Sequence, residues 1–145
     1  LRTPQNPMNI YFACSITGGR ELEDFYAEFV AFLEADGHII PTSHLARAEA
    51  MEGERILTPR DVYERDVKWI QECDALIAEV SVPSHGVGYE IGYALHYHKP
   101  VLCLYQNGRK VSKMITGNPD PALRVEAYSA FEEAVVHARG FLVAL

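Results

Sequence analysis

A parallel α/β sheet with helices on both faces is the fold class this sequence predicts, and three observations predict it. Short apolar runs such as Ile10-Tyr11-Phe12-Ala13-Cys14 and Ala75-Leu76-Ile77-Ala78 have the composition of buried strands. Longer stretches with helical periodicity lie between them, so strand and helix alternate along the chain. The apolar runs end in loops of small and hydroxyl-bearing residues, where an open α/β sheet binds its ligands.

Residues 1–7 are expected to be an N-terminal extension and residues 8–145 one domain. Asn9 to Cys14 reads as the first strand, followed by Ser15-Ile16-Thr17-Gly18-Gly19-Arg20, a loop suited to backbone contact with an anion. Glu21 to Asp36 reads as an amphipathic helix, because Leu22, Phe25, Phe29, Phe32 and Leu33 recur at three- and four-residue spacing. Gly37 stops it. His38 to Thr42 reads as a short second strand, and Ser43 to Leu57 supports no assignment. Thr58-Pro59-Arg60-Asp61 is a helix start with a hydroxyl cap, a proline in the first turn and an acid to close a capping box. That helix runs to about Glu72. Asp66 lies four residues after Val62 and four before Ile70, so it shares their inward face. A carboxylate there is costly unless it has partners or a chemical task.

Asp74 to Val80 is expected as the third strand, and Val80 to Gly92 as the crossing into a helix that reaches His98. This crossing reads either as an ordinary strand-to-helix turn with a capping glutamate or as a site. Glu90 falls in the expected first helical turn, where the helix dipole favours an ionised carboxylate and N–H groups favour an anion. Tyr89, Tyr93 and Tyr97 recur every four residues, a stripe suited to an interface or to packing beneath neighbours. Pro100 to Tyr105 is the fourth strand. Gln106 to Pro121 is a long loop with one helical turn at Ser112 to Thr116. Leu123 to Tyr128 reads as an edge strand, and Ser129 as the cap of a helix from Ala130 to about Phe141. The order of elements fits a flavodoxin-like or Rossmann-like arrangement.

Composition narrows the function. The 145 residues are 48% hydrophobic and 23% charged, as in globular domains, and the net charge of −7 argues against a nucleic-acid polymer as partner. A mononucleotide in a local site remains compatible with it. Cys14, Cys73 and Cys103 have no metal-type spacing and read as reduced, buried thiols of a cytoplasmic protein. His96 and His98 lack a third ligand, so no metal is expected. No apolar run reaches membrane-spanning length and no signal-peptide pattern is visible.

The layout brings Tyr11, Asp66 and Glu90 to one rim of the sheet. Two carboxylates at a cleft are what cleavage of a glycosidic bond needs, and at about 5 Å apart one of them can act as nucleophile. A phenol beside that nucleophile can hold its orientation. Gly86-x-Gly88-x-x-Ile91-Gly92 is not a dinucleotide fingerprint, and no P-loop lysine is present. These absences point away from redox cofactors and NTPase chemistry toward a small phosphorylated sugar or nucleotide, with no cofactor.

Three motifs carry a family resemblance: Tyr11-Phe12-x-x-Ser15-Ile16-x-Gly18-Gly19-Arg20, Asp66 with Trp69, and Ser84-x-Gly86-Val87-Gly88-Tyr89-Glu90-x-Gly92. Together they resemble the 2′-deoxynucleoside 5′-monophosphate N-hydrolases of the nucleoside 2-deoxyribosyltransferase superfamily, over about Asn9 to Gly117. The resemblance implies Glu90 as nucleophile on C1′, Asp66 as proton donor or positioner for the leaving base, and Tyr11 as their support. It implies that Ser15, Gly18, Gly19, Ser84 and Gly86 hold the 5′-phosphate, with Ile16, Arg20 and Gly88 beside them and His44 lining the site. It also implies a homodimer in which Ser112 and Met114 reach into the neighbouring subunit's site. Two positions depart from the family pattern: Cys14 stands where glycine is usual, and Thr17 where arginine is usual. The second removes a charged phosphate partner that Arg20, Arg109 or Lys113 would have to replace. A deoxyribosyltransferase and a glycosidase acting on ribonucleotides such as cytidine monophosphate use the same nucleophile and stay open. A non-catalytic nucleotide-binding module does not require two carboxylates beside an anionic ligand.

Overall fold

Every residue of β1 (Ile10–Ala13) and β2 (Ala75–Glu79) is buried, as continuous apolar runs require when helices cover both faces of a sheet. The computed structural model describes residues 6–16, 22–46 and 57–145. With β3 (Val101–Gln106) and β4 (Leu123–Tyr128) these strands form one parallel sheet in the order β1-β2-β3-β4. The register sets Tyr11 beside Leu76, Ala78 beside Cys103, and Cys103 beside Val125. The helices are α1 (Glu23–Ala35), α2 (Pro59–Glu72), α3 (His85–His96), α4 (Lys113–Thr116) and α5 (Phe131–Val143), with a 3₁₀ turn at Ser43–Ala46.

Strand pleating divides the core in two. Ile10, Phe12, Ile77, Leu102 and Leu104 face α1 and α5. Tyr11, Ala13, Leu76, Ala78 and Cys103 face α2 and α3. On the first face Phe25 of α1 stacks on Tyr128 of β4 at 4.9 Å and on Phe29 at 5.7 Å. Such aromatic pairs contribute about 0.5–1.5 kcal/mol each beyond their burial.

Several boundaries follow their sequence signals. Thr58 caps α2 by accepting from the Asp61 N–H at 3.1 Å, and Asp61 answers from its carboxylate. Gly37 adopts φ 97 just past α1. Ser112 caps α4 by accepting from the Met114 N–H. All three cysteines are buried.

Three expectations need correction. His38 to Thr42 is not a strand but a single parallel bridge, Asn9 with Ile39, on the outer side of β1. The ladder ends there because Pro41 has no N–H and Thr42 takes over the pairing. Its hydroxyl accepts from Phe12 N–H at 3.0 Å and donates to Phe12 O at 2.8 Å. The helix expected to begin at Glu90 starts at His85, capped by Ser84, so Glu90 lies in its second turn and not at the dipole's end. Ser129 is not the cap of α5. Ala130 occupies that position, and the Glu133 carboxylate reaches back to accept from the N–H groups of both Ser129 and Ala130.

Candidate active site

The site grows from the carboxyl end of β1. Tyr11 is fully buried and points to the α2/α3 face of the sheet. Its hydroxyl donates a short hydrogen bond to Glu90 Oε2. Burial first, then the charges of Glu90 and Asp66, push the Tyr11 phenol far above its ordinary range, so it remains a donor at any working pH. Glu90 is thereby anchored by a group that approaches from β1 while its backbone belongs to α3. Asp66 approaches from α2, as its heptad-like spacing with Val62 and Ile70 requires.

Asp66 and Glu90 share the lining of one cavity of about 330 Å³, together with Cys14, Ile16, Ser84 and Gly86. That volume is in the range of small-molecule sites. Beside it, Arg65 Nε donates to Asp66 Oδ1 at 2.8 Å, and the same guanidinium lies 5.0 Å over the Trp69 ring. His44 meets Trp69 edge-on at 5.9 Å. It is absent from the lining of the Glu90 cavity. The Cys14 thiol is pushed up to about 12, chiefly by burial, then by Glu90 and Glu79.

Ser84 accepts from the Val87 N–H at 3.3 Å, which turns the amino-terminal end of α3 toward the cavity. Ser15, at the end of β1, is buried, and its hydroxyl has no hydrogen-bond partner among the described residues. Thr17, Gly18, Gly19 and Arg20 lie outside the described residues. Gly88, Ser112 and Met114 are not in the Glu90 cavity. They line a second, larger groove of about 1060 Å³ between α3 and the segment 110–118. Ser84, Val87 and Tyr89 belong to both cavities, so the two adjoin. Met114 is 84% exposed on the groove's outer wall.

Sequence reasoning missed part of the lining. Tyr63 sits one turn before Asp66 on the same helix face, and its hydroxyl is 3.4 Å from that of Tyr89 across the cavity. Its i−3 spacing from Asp66 was a usable signal. Arg65 gave none beyond adjacency. Tyr89, Tyr93 and Tyr97 do form one ladder, with ring centroids 6.0 and 4.8 Å apart.

The family model for nucleoside 2-deoxyribosyltransferase matches residues 10–144. The chain belongs to that family. Among its relatives is a Methanosarcina mazei protein provisionally named 2′-deoxynucleoside 5′-phosphate N-hydrolase 1, 40% identical over 135 residues, covering 91% of this chain and 84% of the relative. The 5-hydroxymethyl-dUMP N-hydrolase of Rattus norvegicus is 42% identical over 120 residues, covering 80% and 73% of the two chains. A solved structure, the CMP N-glycosidase of Clostridium botulinum, superposes with a TM-score of 0.69 at 22% identity, covering 91% of this chain and 98% of that one, and shows the shared fold. Among the described residues of this nucleoside 2-deoxyribosyltransferase family member, no helix is long and apolar enough to cross a membrane.

Proposed function

We propose that this protein hydrolyses the N-glycosidic bond of 2′-deoxynucleoside 5′-monophosphates, releasing free base and 2-deoxyribose 5-phosphate. The observation that carries the reading is the Tyr11 phenol fixing Glu90 in a cavity that Asp66 also lines. The names of the relatives at about 40% identity support the substrate class. In the first step the Glu90 carboxylate attacks C1′, the C1′–N bond breaks, and its electron pair leaves with the base. Water then attacks C1′ of the glycosyl ester, gives a proton to solvent and returns Glu90 to its carboxylate form. The Arg65 pair makes Asp66 an acceptor, so Asp66 positions the base and the departing nitrogen takes its proton from solvent.

The buried Ser15 hydroxyl, the Ser84 hydroxyl and the N–H groups at the start of α3 are the donors a 5′-phosphate would engage, and the family resemblance adds Gly18, Gly19 and Arg20 to them. The protein works as a homodimer with shared sites. Support comes from the groove that adjoins the cavity, from exposed Met114 beside Ser112, and from the tyrosine ladder on α3. Three buried thiols suit the reducing cytoplasm.

Base exchange is a second reading, favoured by the family's own description, and differs only in whether a base or water takes the glycosyl group. Glu90→Gln tests the common step. Turnover should fall by orders of magnitude, since the amide cannot form the ester. Wild-type protein quenched during turnover should carry a mass increment of one deoxyribosyl phosphate on the peptide containing Glu90. Near-normal base release by Glu90→Gln would refute the covalent route.

A further inference from the structure

A carboxylate outside the catalytic trio carries a dense set of contacts that the reaction does not use. Glu79, the last residue of β2, is 1% exposed and lies on the sheet face opposite Tyr11. Ionised groups are buried only where donors fill their lone pairs. Here Ser81 N–H donates to Oε1 at 2.7 Å, the Ser81 hydroxyl donates to Oε2 at 2.9 Å, and the Tyr128 hydroxyl adds a short bond to Oε2. Burial pushes the Glu79 carboxyl up, while these donors and the charge of Arg109 oppose that shift. The Ser81 oxygen in turn accepts from the Gln106 N–H at 2.8 Å. The ends of β2, β3 and β4 are therefore tied together at one point. That point is the start of the loop Ser81-Val82-Pro83-Ser84, which leads directly into α3.

We infer that Glu79 is a positioning residue: by gripping both the N–H and the hydroxyl of Ser81, it sets where Ser84 and the start of α3 stand in the site. It reaches no substrate itself. The inference rests on the reading of Ser84 as a substrate contact. Through Tyr128, the edge strand β4 bears on a loop whose far end lines the catalytic cavity.

Tyr128→Phe is the most conservative perturbation, because it keeps the ring stacked on Phe25 and removes only the hydroxyl. Glu79→Gln is the second variant, keeping one acceptor oxygen. Leu142→Ala serves as the control, since it opens the same core without entering the network. Amide exchange is read first, without substrate. Tyr128→Phe should speed exchange at Ser81 and at Val87, whose N–H is held by Ser84, by about tenfold over the control at matched stability, equivalent to one factor of ten in local opening. Steady-state hydrolysis of a deoxynucleoside 5′-monophosphate should then show KM raised about tenfold with kcat within about twofold, and Glu79→Gln should move the same way. Unchanged exchange at Val87 overturns the inference. So does a KM shift reproduced by Leu142→Ala, or faster exchange with KM unaltered. Failure of the functional reading is distinct, because it appears as no base release by the wild-type protein, whereas the exchange measurement needs no reaction.

Discussion

Replacing Ser84 separates the two tasks its hydroxyl is assigned. As the N-cap of α3 it accepts from the Val87 N–H at 3.3 Å, and in the proposed complex it donates to a phosphate oxygen. Loss of an N-cap to alanine costs about 1 kcal/mol, whereas glycine at that position costs only a few tenths. For a chain of this size 1 kcal/mol lowers the melting temperature by about 4 °C. Both variants lose the donor equally. A hydrogen bond to a charged partner contributes about 1.5–3 kcal/mol, equivalent to about 10- to 150-fold in kcat/KM. The assay is base release from a deoxynucleoside 5′-monophosphate and from the unphosphorylated nucleoside, with thermal unfolding alongside. Ser84→Ala and Ser84→Gly should lose the same factor on the nucleotide, keep their weak nucleoside activity, and differ only in melting temperature. A glycine variant that keeps the full nucleotide preference would falsify the assignment of Ser84 to the phosphate. Activity that tracks melting temperature would show that the cap alone matters.

Other consequences follow from the same geometry. Asp66→Asn should lose about 100-fold in kcat/KM by misplacing the base, uniformly across bases that leave easily or poorly; a loss that shrinks with better leaving groups would make Asp66 the proton donor. With its thiol pushed up to about 12, Cys14 is ionised to about one part in 10⁴ at pH 8. Iodoacetamide labelling of Cys14 in the folded protein should therefore run more than about 1000-fold slower than that of an ordinary thiol and rise tenfold per pH unit from 7 to 9, as the neutral form gives way. A flat profile would contradict the burial that sets the shift. Sedimentation at micromolar concentration should give a dimer of the 16.3 kDa chain. Glu90→Gln and the Ser112→Ala/Met114→Ala double variant, each impaired alone, should regain activity when mixed, because one of the two sites in the mixed dimer is then intact. No recovery on subunit exchange would remove the shared site.

Much of this was legible because it depends on local chemistry. The Thr58 cap, the Gly37 stop and the alternation of apolar runs with helical periods act over a few residues, and the fold class follows from them. The inward placement of Asp66 follows from its spacing with Val62 and Ile70. What failed needed either information from distant chain or a choice between competing local signals. Pro41 was a local sign against a strand at His38 to Thr42, but the pairing of the Thr42 side chain with Phe12, thirty residues away, was not legible there. Glycines 86 and 88 look like loop formers, yet the Ser84 cap starts the helix ahead of both, which moves Glu90 out of the dipole's reach. Arg65 and Asp66 are neighbours on a helix, so their backbone directions diverge by about 100° and adjacency alone predicts no contact. Only the length of the arginine side chain, laid over Trp69, closes the pair. The Glu79 network joins three strand ends that the sequence holds far apart.

The bond between Tyr11 and Glu90 spans 79 residues and joins the first strand to the third helix. Neither group can arrange the other until β1 has been laid against β2, after the α1 and α2 crossovers are complete. A chain halted with β2, α3 and β3 assembled would hold a bare carboxylate with no phenol to aim it. Reactivity thus depends on a non-local contact, and long loops are slow to close. Release of base is therefore a stringent reporter of complete folding, sensitive to the loss of β1 docking even when helix content is nearly native.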